Sequence, residues 1–258
     1  MNFKKTNGIS WNLRKFLRYG STQWILGRYA CLGSEVMNRI APKPSILNFQ
    51  KARIDLQLDL LSNRTLSPIT EAISQYIIRP DIRPLADQQA SFPFQQIIPP
   101  KYFIMDSFSE LTDQLFVHRE DAWKICFNWS DLNHNTQFEN TFECHGLLST
   151  QHFRETYEAY FDRIQMIFPG ISIVYLFFST ALDTRDKFIK RDNALQQTLE
   201  SMASKYPNVH LVVLPERLVT PPITGSDEYR NFPYHYSANT YDAYAEKTRT
   251  ILTEKNLL

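Results

Sequence analysis

From Phe153 to Phe168 the apolar side chains recur three and four residues apart, at Tyr157, Tyr160, Phe161, Ile164 and Phe168. That spacing predicts an amphipathic helix, with Ser149 and Thr150 available as caps and Pro169-Gly170 as its stop. The pattern then changes. "ISIVYLFF", residues 171–178, is a short apolar run, interrupted only at Ser172 and rich in β-branched and aromatic residues, as expected of a strand covered on both faces. After Asp183 a second helical stripe carries Phe188, Leu195, Leu199 and Met202; "KYPN" ends it, and "VHLVVLP" reads as another buried strand. A last stripe, Tyr241, Tyr244, Ala245, Thr248, Ile251 and Leu252, predicts a final helix that packs back on the sheet. Such alternation of helix and buried strand implies a parallel sheet with right-handed crossovers.

The first half is patterned less clearly. "PPKYFIMDSFSELTDQLF" predicts a buried strand from Tyr102 to Met105 that turns polar at Asp106. Residues 11–40 and 49–62 read as helical, giving a helical insertion around 20–80, and "RPDIRPLADQQASFPFQQIIPP" reads as a proline-punctuated connection. In a doubly wound sheet the opening "NFKKTNG" would have to supply a strand, although its lysines and asparagines suit an edge better than a centre. No internal repeat or low-complexity tract interrupts the chain. The fold class expected is α/β: one domain over residues 1–258, three layers, with a doubly wound and mostly parallel sheet of the flavodoxin-like kind.

Composition narrows the setting. A chain of 258 residues, 43% hydrophobic, can bury a full core. Its 28 basic and 27 acidic residues nearly cancel, so no global field recruits nucleic acid or an acidic membrane. Cys31, Cys126 and Cys144 show no CxxC spacing and cannot all pair with one another, which disfavours a disulfide framework or zinc knuckle and points to a reducing compartment. The longest apolar run falls well short of the roughly 20 residues that span a bilayer, and "MNFKKTNGIS" lacks the apolar core of a signal peptide. A cytoplasmic location is expected, extending to the inner membrane face, with no transmembrane segment, no nucleic-acid partner and no cofactor. His118, His134, His145, His152 and His210 form no HExxH pattern, so no metal site is expected.

Ligands of open parallel sheets sit beyond the carboxyl ends of the strands. Gly8-Ile9-Ser10 would follow the first strand, Asp106-Ser107 the next clear one, Ser179-Thr180 and Asp183 the third, and Pro215-Glu216-Arg217 the fourth. His235, in "NFPYHYSANTYDAY", precedes the last helix. A serine on the first loop and a histidine on the last can meet over one sheet edge, an arrangement suited to acyl transfer. Each has a structural competitor. Ser10 can cap the helix "SWNLRKFL", His235 can cap or pack, and Asp106 with Glu110 can complement a helix dipole. Ser107 in "MDSFS" imitates a Gly-Asp-Ser motif without the glycine and ranks second as nucleophile. "KFLRYGSTQWILGRY" reads as an amphipathic helix whose basic face suits a phosphate-bearing donor or a membrane surface.

The order of elements and the terminal "NFPYHYSANTYDAY" resemble the SGNH (GDSL-like) hydrolases, and more narrowly a bacterial SGNH-type family found among surface-polysaccharide genes. Gly8-Ile9-Ser10 with Arg14 resembles that family's Gly-x-Ser/Cys turn and following arginine. "GRYACLGSEV" is a weakened version of its aromatic-Ala-Arg-Ser-Ser helix, and "FQKARIDLQLD" matches a further segment. Asp106 and Glu110 match its aspartate-x-x-x-glutamate, while Pro233, Tyr234, His235, Tyr236 and Tyr241 match its closing motif. Two positions depart: Phe232 stands where SGNH enzymes place an aspartate three residues before the histidine, and Leu111 where an arginine follows the glutamate. The carboxylate orienting the ring would then be Asp106, Asp227 or Glu228.

The resemblance implies an esterase or O-acyltransferase of surface-polysaccharide biosynthesis, acting on a carbohydrate or acyl-donor small molecule and associated with polysaccharide-synthesis proteins. Ser10 would attack the acyl carbon, His235 would shuttle the proton with Asp106 as third member, and amides near Ile9 and Trp11 would stabilise the oxyanion. Arg14, Glu110, Tyr234 and Tyr236 would serve the oxyanion or substrate. The alternative is a catalytically inactive SGNH-like module that binds glycans or joins a complex, supported by Phe232, Leu111 and the polar opening segment.

Overall fold

Very short strands build the central sheet of this protein: the three inner ones are buried between helical layers and the two edge ones are partly buried. The computed structural model describes residues 24–40, 46–91, 99–222 and 233–258. In chain order the elements are β1 (Ile25–Arg28), α1 (Cys31–Ile40), β2 (Ile46–Asn48), α2 (Ile54–Leu61), α3 (Thr70–Ser74), a 3-10 turn (Pro80–Ile82) and α4 (Arg83–Ala90). There follow β3 (Phe103–Asp106), α5 (Phe108–Thr112), β4 (Asp113–His118), β5 (Lys124–Asn128), α6 (Thr136–Thr141) and β6 (Phe142–Gly146). The chain closes with α7 (Phe153–Ile167), β7 (Ile173–Leu176), α8 (Asp186–Met202), β8 (Val209–Val212) and α9 (Ala238–Glu254).

The main sheet has the order β2-β1-β3-β7-β8, and every pairing in it is parallel. Alternation along the strands sends Leu26, Phe103, Met105, Ile173 and Tyr175 into one core with Leu61, Tyr157, Phe161, Leu195 and Leu199 of α2, α7 and α8. Ile25, Ile104, Val174 and Leu176 meet Leu32 and Val36 of α1 and Tyr244 and Leu252 of α9 on the other face. This is the three-layer, doubly wound α/β arrangement the helix–strand alternation predicts. Gly170 takes φ 77° just past α7, the left-handed conformation that lets the chain turn directly into the next strand.

The helical reading of residues 11–40 fails at its centre. Residues 25–28 form β1, and with β2 they give the span 20–80 two sheet strands, so it is not a helical insertion. The reason is tertiary: Arg28, a poor strand residue by pattern, is 1% exposed and ion-paired to Glu110. Part of the proline-punctuated connection is also helical. Pro80 and Pro84 sit in the first turns of the 3-10 turn and α4, where a missing N–H costs no helical hydrogen bond. The strand expected in "NFKKTNG" lies outside the described residues.

Between β3 and α7 the chain makes a second, antiparallel sheet of order β5-β4-β6, which the sequence pattern did not predict. It packs with α3, α4 and α6 around Tyr76, Leu85, Phe116, Trp123, Phe127 and Phe138. Buried Lys51, ion-paired to Asp113 and Asp131 at 3.4 and 2.6 Å, ties this layer to the main sheet. Arg53 adds bonds to the carbonyls of Asp113 (3.2 Å) and Gly146 (2.6 Å).

Helix α1 packs closely on the turn before it. A Cβ on Gly33 would lie 2.3 Å from Cβ and 2.4 Å from Cγ of Tyr29. Tyr29 is fixed in turn by Asn48, whose side chain bonds both its N–H and its C=O at 3.0 Å. An alanine would favour the helix by about 1 kcal/mol, but overpacking of this kind costs about 1–3 kcal/mol and no rotamer change moves a Cβ. Gly33→Ala is therefore expected to lower the urea midpoint; an unchanged or higher midpoint would show that the turn can relax.

Candidate functional site

The connection after β1 runs to the α1/α9 face and the one after β3 to the opposite face, so a crevice opens at their carboxyl ends, the switch point where such sheets hold ligands. The turn leaving β1 is Tyr29-Ala30-Cys31, and Cys31 is the first residue of α1. Asp106, at the end of β3, reaches across to this turn. Its Oδ2 accepts the amides of Ala30 at 2.7 Å and Gly33 at 3.3 Å, and its Oδ1 accepts that of Phe108 at 3.2 Å. Burial pushes the Asp106 carboxyl up to about 7, against the opposing pull of these amides and of Arg28.

The last loop comes to the same corner. Three tyrosines hold it: Tyr234 Oη donates to Asp183 Oδ2 at 2.8 Å, Tyr236 Oη to the Ser179 carbonyl at 2.8 Å, and Tyr244 Oη to the Phe177 carbonyl at 2.6 Å. Ser237 caps α9 by accepting the Thr240 amide. The Tyr234 carbonyl lies 3.9 Å from the Cys31 sulfur, which places half-buried His235, the next residue, beside the thiol turn. Burial lowers the imidazole below its ordinary 6.5 while the Glu35 carboxylate raises it, and burial prevails, so the ring is neutral near pH 7. Cys31 is a free thiol. Burial first and Asp106 second push it up to about 12, while the amides of Leu32 and of Cys31 itself pull the other way. A cleft lined by Glu35, Arg39, Thr220, Tyr236, Ser237 and Tyr241 opens alongside.

The site residues expected from sequence fall in several places. Ile9, Ser10, Trp11 and Arg14 lie outside the described residues, as do Asp227, Glu228 and Phe232. Ser107 is fully buried: its Oγ accepts the Phe178 amide at 2.9 Å and its N–H donates to the Leu176 carbonyl at 3.1 Å. It joins the ends of β3 and β7 and offers no exposed hydroxyl for attack. Asp106 faces the α1 turn rather than the histidine ring, and the hydroxyls of Tyr234 and Tyr236 are bound inside the fold, where they position the histidine loop. Glu110 lies on the other side of the sheet. It accepts from Arg28 and from the Ile54 amide at 3.0 Å, where α2 begins.

The departure at Leu111 also finds an explanation. Leu111 is buried and apolar, and the cations near Glu110 come from elsewhere: Arg28 from β1, and Arg191 from α8, which donates to the Glu110 carbonyl at 2.5 Å. Sequence reasoning passed over Cys31 and Glu35. Their spacing of four residues puts them on one helical face, but reading residues 11–40 as one continuous helix removed the strand end at Arg28 that places this face at the carboxyl edge of the sheet.

Among the described residues no group of three or more His, Cys, Asp or Glu side chains is placed to hold a metal ion, and no helix is long and apolar enough to cross a membrane.

These features define an α/β protein of the doubly wound parallel class with a thiol turn and a histidine loop meeting at its switch point. Among solved structures the chain is similar to an acetyl xylan esterase (Est2A) from the rumen bacterium Butyrivibrio proteoclasticus, with 10% identity and a TM-score of 0.39. That match covers 90% of this chain and 63% of the esterase chain, less than two thirds of its length. No family model and no curated protein matches the sequence.

Proposed function

We propose that this protein is an acyl-transfer enzyme that works through Cys31. The thiol attacks the acyl carbon of an ester, its proton passes to the neutral imidazole of His235, and the protonated ring returns it to the departing alkoxide. Water or a sugar hydroxyl then attacks the acyl-Cys31 thioester, losing its proton to His235 and regenerating the thiol. The carrying observation is the 3.9 Å approach of the Cys31 sulfur to the Tyr234 carbonyl, one residue from His235. The likeness of the closing motif to SGNH hydrolases supports the role of His235 and a carbohydrate as the acylated partner; a place in surface-polysaccharide synthesis rests on that likeness alone.

The test is incubation with p-nitrophenyl acetate, acid quenching, and peptide mapping by mass spectrometry. One acetyl group is expected on Cys31, absent from Cys31→Ala and retained in Ser10→Ala. A label on Ser10 would transfer the nucleophile's role to that residue, and no label on any side chain would favour a non-catalytic binding module.

A further inference from the structure

We propose that Asp106 is a positioning residue that keeps Cys31 a neutral thiol, by taking for its own carboxylate the amides on either side of that cysteine. The proposal rests on the reading of Cys31 as nucleophile. The first amides of a helix have no partner within it and attract anions. At many reactive cysteines such donors, or a nearby cation, stabilise a standing thiolate. Here the Ala30 and Gly33 amides point at a carboxylate that is 2% exposed and comes from a strand more than 70 residues further along the chain. The turn is thereby shaped around Cys31, and above about pH 7, where the Asp106 carboxyl is ionised, the negative charge beside it is that of Asp106.

The surrounding charges agree. Facing Cys31 are Asp106 from β3, Glu35 from α1, and the phenols of Tyr236 and Tyr241, with the Tyr234 carbonyl, one residue before His235, 3.9 Å from the sulfur. Facing Asp106 are Arg28, Tyr29 and Tyr175, and Arg28 is already paired with Glu110. Acids outnumber free cations at the sulfur and burial acts in the same direction; the amides of Leu32 and of Cys31 itself oppose them and are outweighed. The thiol therefore gives up its proton only as His235 accepts it during attack, and an idle enzyme exposes no thiolate to oxidants or alkylating agents.

The experiment is the pH dependence of iodoacetamide alkylation at Cys31, followed by peptide mass spectrometry with a small cysteine peptide as reference; the midpoint is compared, since burial also slows the absolute rate. In the wild-type protein the midpoint is expected well above the ordinary thiol value of about 8.5. Asp106→Asn should lower it by about one to two pH units, the scale of a neighbouring charge in a partly desolvated site, and Glu35→Gln should lower it less. A wild-type midpoint at or below the reference peptide overturns the proposal whether or not any variant folds. A folded Asp106→Asn with an unmoved midpoint reduces Asp106 to a structural cap. Loss of the acetyl label on Cys31 would instead refute acyl transfer while leaving the titration result standing.

Discussion

Replacing His235 by asparagine is expected to lower turnover by about 10²- to 10⁴-fold, the usual cost of a positioned general acid–base group, while leaving the thermal midpoint nearly unchanged. The loop carrying it is held by the Tyr234 and Tyr236 hydroxyls and by the Ser237 cap, all independent of the imidazole. The pH profile supplies a second readout. Burial depresses the imidazole below 6.5, so the base form gains as pH rises and wild-type activity should climb through a midpoint below that value. In His235→Asn that acidic limb should vanish. A variant that melts early yet keeps near-normal turnover per folded molecule would make His235 a packing residue and remove the base from the proposed mechanism.

Glu110→Ala is expected to destabilise the fold by about 3–5 kcal/mol, because it leaves the Arg28 guanidinium buried without its counter-charge. Burial, the largest single influence, would lower the pKa of Arg28; the Glu110 charge, with smaller contributions from Tyr157, Tyr175 and Tyr160, outweighs it and holds the arginine ionised. The same carboxylate accepts the Ile54 amide at the start of α2, so its loss also frees an unpaired buried donor. Domains are stable by only about 5–15 kcal/mol, which makes this a large fraction of the whole. The double variant Arg28→Met, Glu110→Leu should regain most of the loss, since apolar pairs commonly replace buried ion pairs without penalty. Urea unfolding measures both. A loss under about 1 kcal/mol in Glu110→Ala would mean that the pair behaves as an exposed one.

The second half of the chain was readable because its signals are local. Helices α7, α8 and α9 carry their buried stripes at three- and four-residue spacing, β7 is a continuous apolar run, and β8 is apolar but for His210, each between clear stops. Periodicity and contiguity survive in a linear text, and from them the parallel sheet and the place of His235 before the last helix follow.

The first half depends on partners far along the chain. β1 ends in an arginine whose burial is tolerable only because Glu110 lies 82 positions away in sequence and adjacent in space. The β4–β5 turn uses Ala122 at φ 57°, where a glycine or asparagine would have announced a hairpin, and β6 is a mostly exposed "FECHG". Local residue patterns thus determined the parallel α/β class, three of its strands and the histidine loop. Tertiary structure alone decided that Ile25–Arg28 is a strand beside β3, and hence that Cys31 stands at the switch point with Asp106 at its back and His235 beside it. The physical reason is that a buried charge and a strand neighbour are properties of pairs, and their energies appear only when both members are brought together.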